Sequence, residues 1–171
     1  EAHQSMRPSI KQVRIWNRTP ERAQHLANSL QVDGVRIEAT TDLETATREA
    51  DLISCATMAT EPLIKGPWLK PGAHLDLVGS YRQDMHECDE AAMVRGSVFT
   101  DSPWSAASDC GEITSALKNG SLKPDDILAN IFTLIRGEHL GRSDLNEITV
   151  FKNGGGGHLD LMVAQFLNSK R

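Results

Sequence analysis

Short apolar runs of strand period alternate with runs of helical period along most of this 171-residue chain. Gln12 to Trp16 alternates polar and apolar residues, as a half-buried strand does. Thr19-Pro20-Glu21 then reads as a helix start, with a hydroxyl cap, a proline in the first turn and a carboxylate near the positive end of the dipole. Ala23, Leu26, Ala27 and Leu30 follow at helical spacing. Val35 to Ala39 is a second short strand, and Asp42 caps a helix that ends near Ala50. Asp51 to Ala56 is nearly continuous in apolar or small residues, as a strand covered on both faces would be. Ala73 to Val78 and Gly96 to Thr100 are the next strands. Strands alternating with helices predict an α/β fold with a doubly wound parallel sheet.

Beyond Asp101 the pattern changes. Ser102 or Ser105 reads as the cap of a short helix, and Gly111 to Asn119 and Pro124 to Arg136 read as two more helices. Ile148 to Lys152 is a last strand, followed by the glycines Gly154 to Gly157 and a closing helix from Leu159 to Leu167.

Composition removes several function classes. A net charge of −5, no basic block and 5% aromatics leave no basis for a nucleic-acid groove. No apolar run approaches the roughly 20 residues of a membrane span. Three widely spaced cysteines, Cys55, Cys88 and Cys110, make no disulfide framework and point to a reducing, cytoplasmic setting. His86-Glu87-Cys88-Asp89 contains metal-ligating residue types, but adjacent residues on a helix point in different directions, and no HExxH or CxxC occurs. No metal site is expected.

A doubly wound sheet binds ligands outside the carboxyl ends of its strands. In the dinucleotide-binding version, a Gly-rich turn and a helix N-terminus hold the pyrophosphate, and the end of the second strand reads the adenine ribose. Trp16-Asn17-Arg18-Thr19 stands at such a strand end. Counting back, the first strand and its Gly-rich turn are expected before Glu1, with Glu1 to Met6 as the tail of the helix that follows them. An acid at the ribose position favours NAD, whereas Asn17, Arg18 and Thr19 supply a cation and no acid before Glu21. A charge-assisted bond from Arg18 to a 2′-phosphate is worth about 1.5–3 kcal/mol. That favours NADP, with NAD possible. The same residues also read as a plain helix cap and a solvated side chain.

Four blocks in order carry a family resemblance: VRIWNRTPERA from Val13, CATMATEP from Cys55, KPGAHLDLVGS from Lys70, and TVFKNGGGG from Thr149 with Asp160. Together they resemble the ornithine cyclodeaminase/μ-crystallin family of NAD(P)-dependent enzymes. The resemblance implies a partial Rossmann domain over residues 1–152. It implies that residues 153–171, the Gly-rich loop and last helix, return toward an N-terminal substrate and dimerisation domain outside this chain. A homodimer through that domain and a small imino or amino acid substrate are implied with it. An isolated chain of this kind is expected to expose apolar strand edges and to be poorly stable.

Carried over residue by residue, Asn17, Arg18 and Thr19 match the group around the adenosine 2′ position. Thr57 and Met58 match the loop lying along the cofactor, although core packing is the commoner use of a methionine. Val78, Gly79 and Ser80 match the strand end near the nicotinamide, and Asn153 and Gly154 the loop closing over its other side. Ornithine cyclodeaminases place an aspartate just after this strand for proton transfer; Tyr81 stands in its place here. Cyclodeamination needs an acid/base group at the substrate amine, whereas imine reduction needs hydride geometry and a proton source. Tyr81 therefore favours reduction of a cyclic imine or ketimine carboxylate to the amino acid. Two alternatives stay open. One is an NAD-using cyclodeaminase with Asp84, also expected to cap the next helix, as its acid/base group. The other is a non-catalytic protein that uses the same pocket to bind NADPH or a small ligand, as μ-crystallin-like members are thought to do.

Overall fold

The computed structural model describes residues 2–102 and 110–169 and divides into two compact units, Glu1–Glu49 and Ala50–Arg171. Of the two expected helix caps, Ser105 and the residues 103–109 that the helix would occupy lie outside the described ones.

In the first unit, helix α1 (Ala2–Met6) precedes strand β1 (Gln12–Ile15), helix α2 (Pro20–Ser29), strand β2 (Arg36–Ala39) and helix α3 (Leu43–Glu49). β1 and β2 pair in parallel from Gln12↔Arg36 to Ile15↔Ala39, with α2 as the crossover. Ala23 and Ala27 are its buried residues, small enough to let the helix sit close on the strands, while Leu26 stays 46% exposed. Thr19 holds the extended N-cap position, but its hydroxyl caps nothing. Instead Asn17 Oδ1 accepts the Thr19 N–H at 2.9 Å, a local turn that occupies the position. Asp42 does cap α3, accepting the Thr45 N–H at 3.0 Å; the Thr45 side chain first, and this backbone bond after it, hold its carboxyl below the usual range.

The second unit holds five parallel strands: β3 (Leu52–Cys55), β4 (His74–Leu77), β5 (Ser97–Thr100), β6 (Ile127–Asn130) and β7 (Thr149–Lys152). Their spatial order is β3-β4-β7-β5-β6, so the last strand of the chain fills the centre of the sheet. Leu75, Val150 and Val98 are neighbours across β4, β7 and β5 and are fully buried. Helix α4 (Glu90–Arg95) and helix α5 (Gly111–Asn119) accompany the sheet. The cap of α4 is Asp89, which accepts the Ala92 N–H, not Asp84. α5 ends at Gly120, whose φ of 81° is the left-handed conformation that glycine adopts without strain.

One expectation is corrected outright. Pro124 to Arg136 is not a single helix: Pro124–Asp126 is one 3-10 turn, Ile127–Asn130 is β6, and only Ile131–Ile135 is helix α6. A short apolar run cannot distinguish strand from buried helix by period alone, and pairing with the edge of β5 decides it. Asn130 was the overlooked signal. Its Oδ1 accepts the N–H groups of Phe132 and Thr133, starting a new helix inside the run.

Helix α7 (Gly157–Ser169) closes the chain and buries none of its residues. Among the described residues, no helix is long and apolar enough to cross a membrane.

The loop before β7 carries a pH-sensitive tie. Glu147 Oε2 accepts from Ser143 N and Ser143 Oγ, at 2.5 and 3.0 Å. The Ser97 side chain first, then these bonds, lower its pKa from 4.5 to about 2. A carboxylate depressed by folding contributes stability fully above its unfolded pKa and loses it as pH falls through the folded one. Glu147→Gln is therefore expected to lower the denaturation midpoint at neutral pH. Its gap from the unsubstituted protein should narrow from about pH 4.5 downward and close near pH 2. A gap independent of pH would refute the tie.

Candidate cofactor site

At the carboxyl end of β1, Asn17, Arg18 and Thr19 are all exposed. Asn17 is folded back on the Thr19 amide, and Arg18 is the cation of the three. A hollow of about 330 Å³ in the same unit is lined by Pro20, Glu21, Gln24, Ala39, Thr40 and Thr41, none of which is matched to the ribose position.

In the second unit, the chain segments leaving β3 and β4 are fastened together by one buried carboxylate. Glu87 is 0% exposed. Its Oε1 accepts the Thr57 N–H at 2.6 Å and the Thr57 hydroxyl at 2.9 Å, and its Oε2 accepts the Gly79 N–H at 2.7 Å. Three donors on one carboxylate compensate for its removal from water. The Glu87 backbone is fixed in turn: its N–H donates to Glu112 Oε1 at 2.7 Å, and its carbonyl accepts from Leu63 and Ile64. The glycine at position 79 is required for this approach. A Cβ there would overlap the Thr57 backbone and lie 2.5 Å from Glu87 Oε1.

The other matched residues divide into exposed and inward-turned groups. Met58 is 69% exposed, which removes core packing as its role, and Val78 is 41% exposed. Ser80 is buried and donates its hydroxyl to the Met85 carbonyl at 2.7 Å, so it fastens the loop from within. Asn153 extends the ladder by donating to the Leu77 carbonyl, while its Oδ1 accepts from Gly155 N at 2.8 Å. Gly154 is buried beside it. Gly155 N also donates to Asp101 Oδ2 at 3.1 Å, tying the glycine loop to the end of β5.

Asp84 stands apart. It forms a two-pronged, exposed pair with Arg82 at 2.9 and 2.8 Å, and that guanidinium holds its carboxyl below the usual range. A carboxylate so held stays ionised at neutral pH and is a poor proton donor.

The four residues from His86 to Asp89 serve different partners. His86 Nε2 meets Ser115 Oγ at 2.9 Å, Glu87 meets Thr57 and Gly79, Cys88 is buried, and Asp89 caps α4. Among the described residues, no group of three His, Cys, Asp or Glu side chains could hold a metal ion. The Cys55 thiol lies at the foot of the site, where burial and then the nearby Glu87 charge push its pKa to about 12, so it is no nucleophile.

Glu87, Glu112, Asp101 and Lys152 are the residues that motif matching missed. Lys152 is 0% exposed and donates to the Leu77 carbonyl at 3.1 Å, just before Val78 and Gly79. A charged residue at the end of a central strand was the available signal for Lys152. For Glu87 there was none, because a carboxylate that fastens two distant loops has no local pattern. Among the described residues, the exposed edge of the loops after β3 and β4 offers backbone groups, the Met58 and Val78 side chains and the Tyr81 phenol. Position 79 is only partly buried, and the exposed Met58 and Val78 side chains of the same two loops suit the apolar face of a planar nicotinamide.

The sequence profile of the ornithine cyclodeaminase/mu-crystallin family matches residues 1–170. Over 172 residues, this chain is 45% identical to Protein SAR DEFICIENT 4 of Arabidopsis thaliana, covering 98% of this chain and 53% of that protein. It is 40% identical to the Delta(1)-pyrroline-2-carboxylate reductase of Paracoccus denitrificans, covering 97% of this chain and 52% of the relative. The chain thus spans about half the length of the curated relatives it matches. A solved structure of Thermococcus litoralis Delta(1)-pyrroline-2-carboxylate reductase, in complex with NADH and L-proline, superposes with a TM-score of 0.82. Its identity is 28%, over 85% of this chain and 46% of that one.

Proposed function

This chain belongs to the ornithine cyclodeaminase/mu-crystallin family, and from that premise we propose that it is the cofactor-binding part of an NAD(P)-dependent oxidoreductase. Its reaction is reduction of a cyclic imine or ketimine carboxylate to the amino acid, with NADPH preferred over NADH. The observation that carries the reaction class is the loop after β4. Tyr81 stands where a cyclodeaminase has its aspartate, and Asp84, the next carboxylate along the chain, is paired with Arg82, which holds its carboxyl below the usual range. The names of the relatives, which include pyrroline-2-carboxylate reductases, support the same class.

A bound reduced nicotinamide would supply the hydride. The chain's own residues orient the ring. Thr57, Val78 and Gly79 offer backbone along one side, Met58 lies in the loop along the cofactor, and Asn153 and Gly154 close the other. Ser80, Glu87 and Lys152 keep these segments fixed from beneath. Arg18 takes the 2′-phosphate of the adenosine end. On this reading residues 1–152 form the cofactor domain, and residues 153–171 return toward a substrate domain through which a cytoplasmic homodimer forms.

The test is the full-length protein with pyrroline- or piperideine-2-carboxylate. NADPH oxidation should accompany formation of the cyclic amino acid. Ammonia release from ornithine, with no cofactor oxidised by any imine, would overturn the assignment.

A further inference from the structure

Charged side chains are rarely buried, and the second unit buries four of them at the carboxyl end of its sheet. Among the described residues, Glu87, Asp101 and Glu112 are the buried carboxylates, each at most 3% exposed, and Lys152 is the buried cation. Glu87 is bonded to the Thr57 and Gly79 amides, and Glu112 Oε1 accepts the Glu87 N–H at 2.7 Å. Asp101 holds the glycine loop through Gly155 N, and Lys152 Nζ donates to the Leu77 carbonyl. Three carboxylates and one ammonium carry a net formal charge of −2. The positive end of α5, whose first turn holds Glu112, offsets only about half a charge.

Two buried thiols report the sign of the field at this place. After burial itself, Glu87, Asp76 and Glu112 raise the Cys55 thiol in that order, and Lys152 lowers it by less than any of them. At Cys88, burial and then Glu112 push the thiol up, and Lys152 again has the smallest effect. A potential that disfavours a thiolate favours a cation.

We propose that this buried acidic cluster makes the site hold the oxidised, cationic nicotinamide more tightly than the neutral reduced ring, and so favours hydride donation to the imine. This rests on the reading that the nicotinamide lies against the loops after β3 and β4. Hydride leaves C4 with both electrons of its C–H bond, and a new C–H bond forms at the imine carbon. The π pair of the protonated C=N returns to nitrogen, and the ring is left with one positive charge. Negative groups already fixed in place stabilise that charge as it develops, with no reorganisation at the moment of transfer.

The test is calorimetric titration of the full-length protein with NADP+ and with NADPH, read as the ratio of the two dissociation constants. In the unsubstituted protein NADP+ is expected to bind the more tightly. Glu112→Gln keeps an oxygen for the Glu87 N–H but removes a negative charge, and should weaken NADP+ relative to NADPH by about three- to thirtyfold. Lys152→Met leaves Asn153 N on the Leu77 carbonyl but removes the positive charge, and should move the ratio by a similar factor the other way. Loss of shape alone would weaken both forms together, so opposite shifts identify charge as the cause. NADPH bound more tightly than NADP+ by the unsubstituted protein would overturn the proposal while leaving the cofactor reading intact, and that comparison needs no variant to fold. A ratio that stays fixed in both variants, or moves the same way in both, would do the same. Failure of both forms to bind would overturn the cofactor reading and the proposal with it.

Discussion

Gly79→Ala should cost the protein most of its cofactor binding and a large part of its stability. The added methyl has nowhere to go: it meets the backbone of Thr57 and lies 2.5 Å from Glu87 Oε1. Backbone and a threefold-bonded carboxylate cannot yield as the tip of a flexible side chain can, so the two loops must separate. Overpacking of this kind costs about 1–3 kcal/mol, and loosening the hydrogen bonds to a buried carboxylate adds about 1–3 kcal/mol more. Denaturant unfolding and dinucleotide titration should fall together. Gly120→Ala is the control, because a Cβ there meets nothing within 4 Å and only the φ of 81° resists it. Its expected cost is about 1 kcal/mol, with binding unchanged. Equal effects at the two glycines would mean that the approach of Thr57 to Gly79 has no special role.

Arg18→Asp should reverse the choice of cofactor without touching the fold. Arg18 is exposed at the end of β1, and substitution of such a residue changes stability by about 0.5 kcal/mol or less. Toward NADPH the effect is large. Loss of a charge-assisted bond to the 2′-phosphate costs about 1.5–3 kcal/mol, and a carboxylate opposite the phosphate repels it further. An affinity loss of about a hundredfold for NADPH is expected, with NADH unchanged or improved because the new acid can accept from a free 2′-hydroxyl. Dissociation constants for both cofactors, with both proteins, decide it. If NADPH and NADH weaken equally, Arg18 does not read the ribose and the preference has another source.

The parts of the structure legible in the sequence were those with local causes. β1 to β5 and β7 announce themselves through period and flanking turns, and Asp42 through its capping position. β6 was hidden because Ile-Leu-Ala-Asn satisfies a helix as well as a strand, and only the free edge of β5 chose between them. Thr19 takes the N-cap position without a cap bond from its hydroxyl, and what ties it locally is its backbone N–H, which donates to Asn17 Oδ1. In the site, Thr57 and Gly79 could be named from strand-end logic and family likeness. Glu87 could not, since its partners lie 30 and 8 residues away and only the folded chain brings them to one carboxylate. Asp101 was hidden for the same reason, since a buried charge is visible only once its compensating partners are, whereas Lys152 carried a local signal as a charge at the end of a central strand.

The most direct test of an imine reductase follows the transferred hydrogen. Full-length protein given NADPH carrying deuterium at C4 of the reduced ring, with pyrroline-2-carboxylate, should yield proline labelled at its α-carbon, one deuterium for each NADPH oxidised. Proline formed without deuterium from either face of the ring, or ammonia released from ornithine with no net change in the cofactor, would contradict the account.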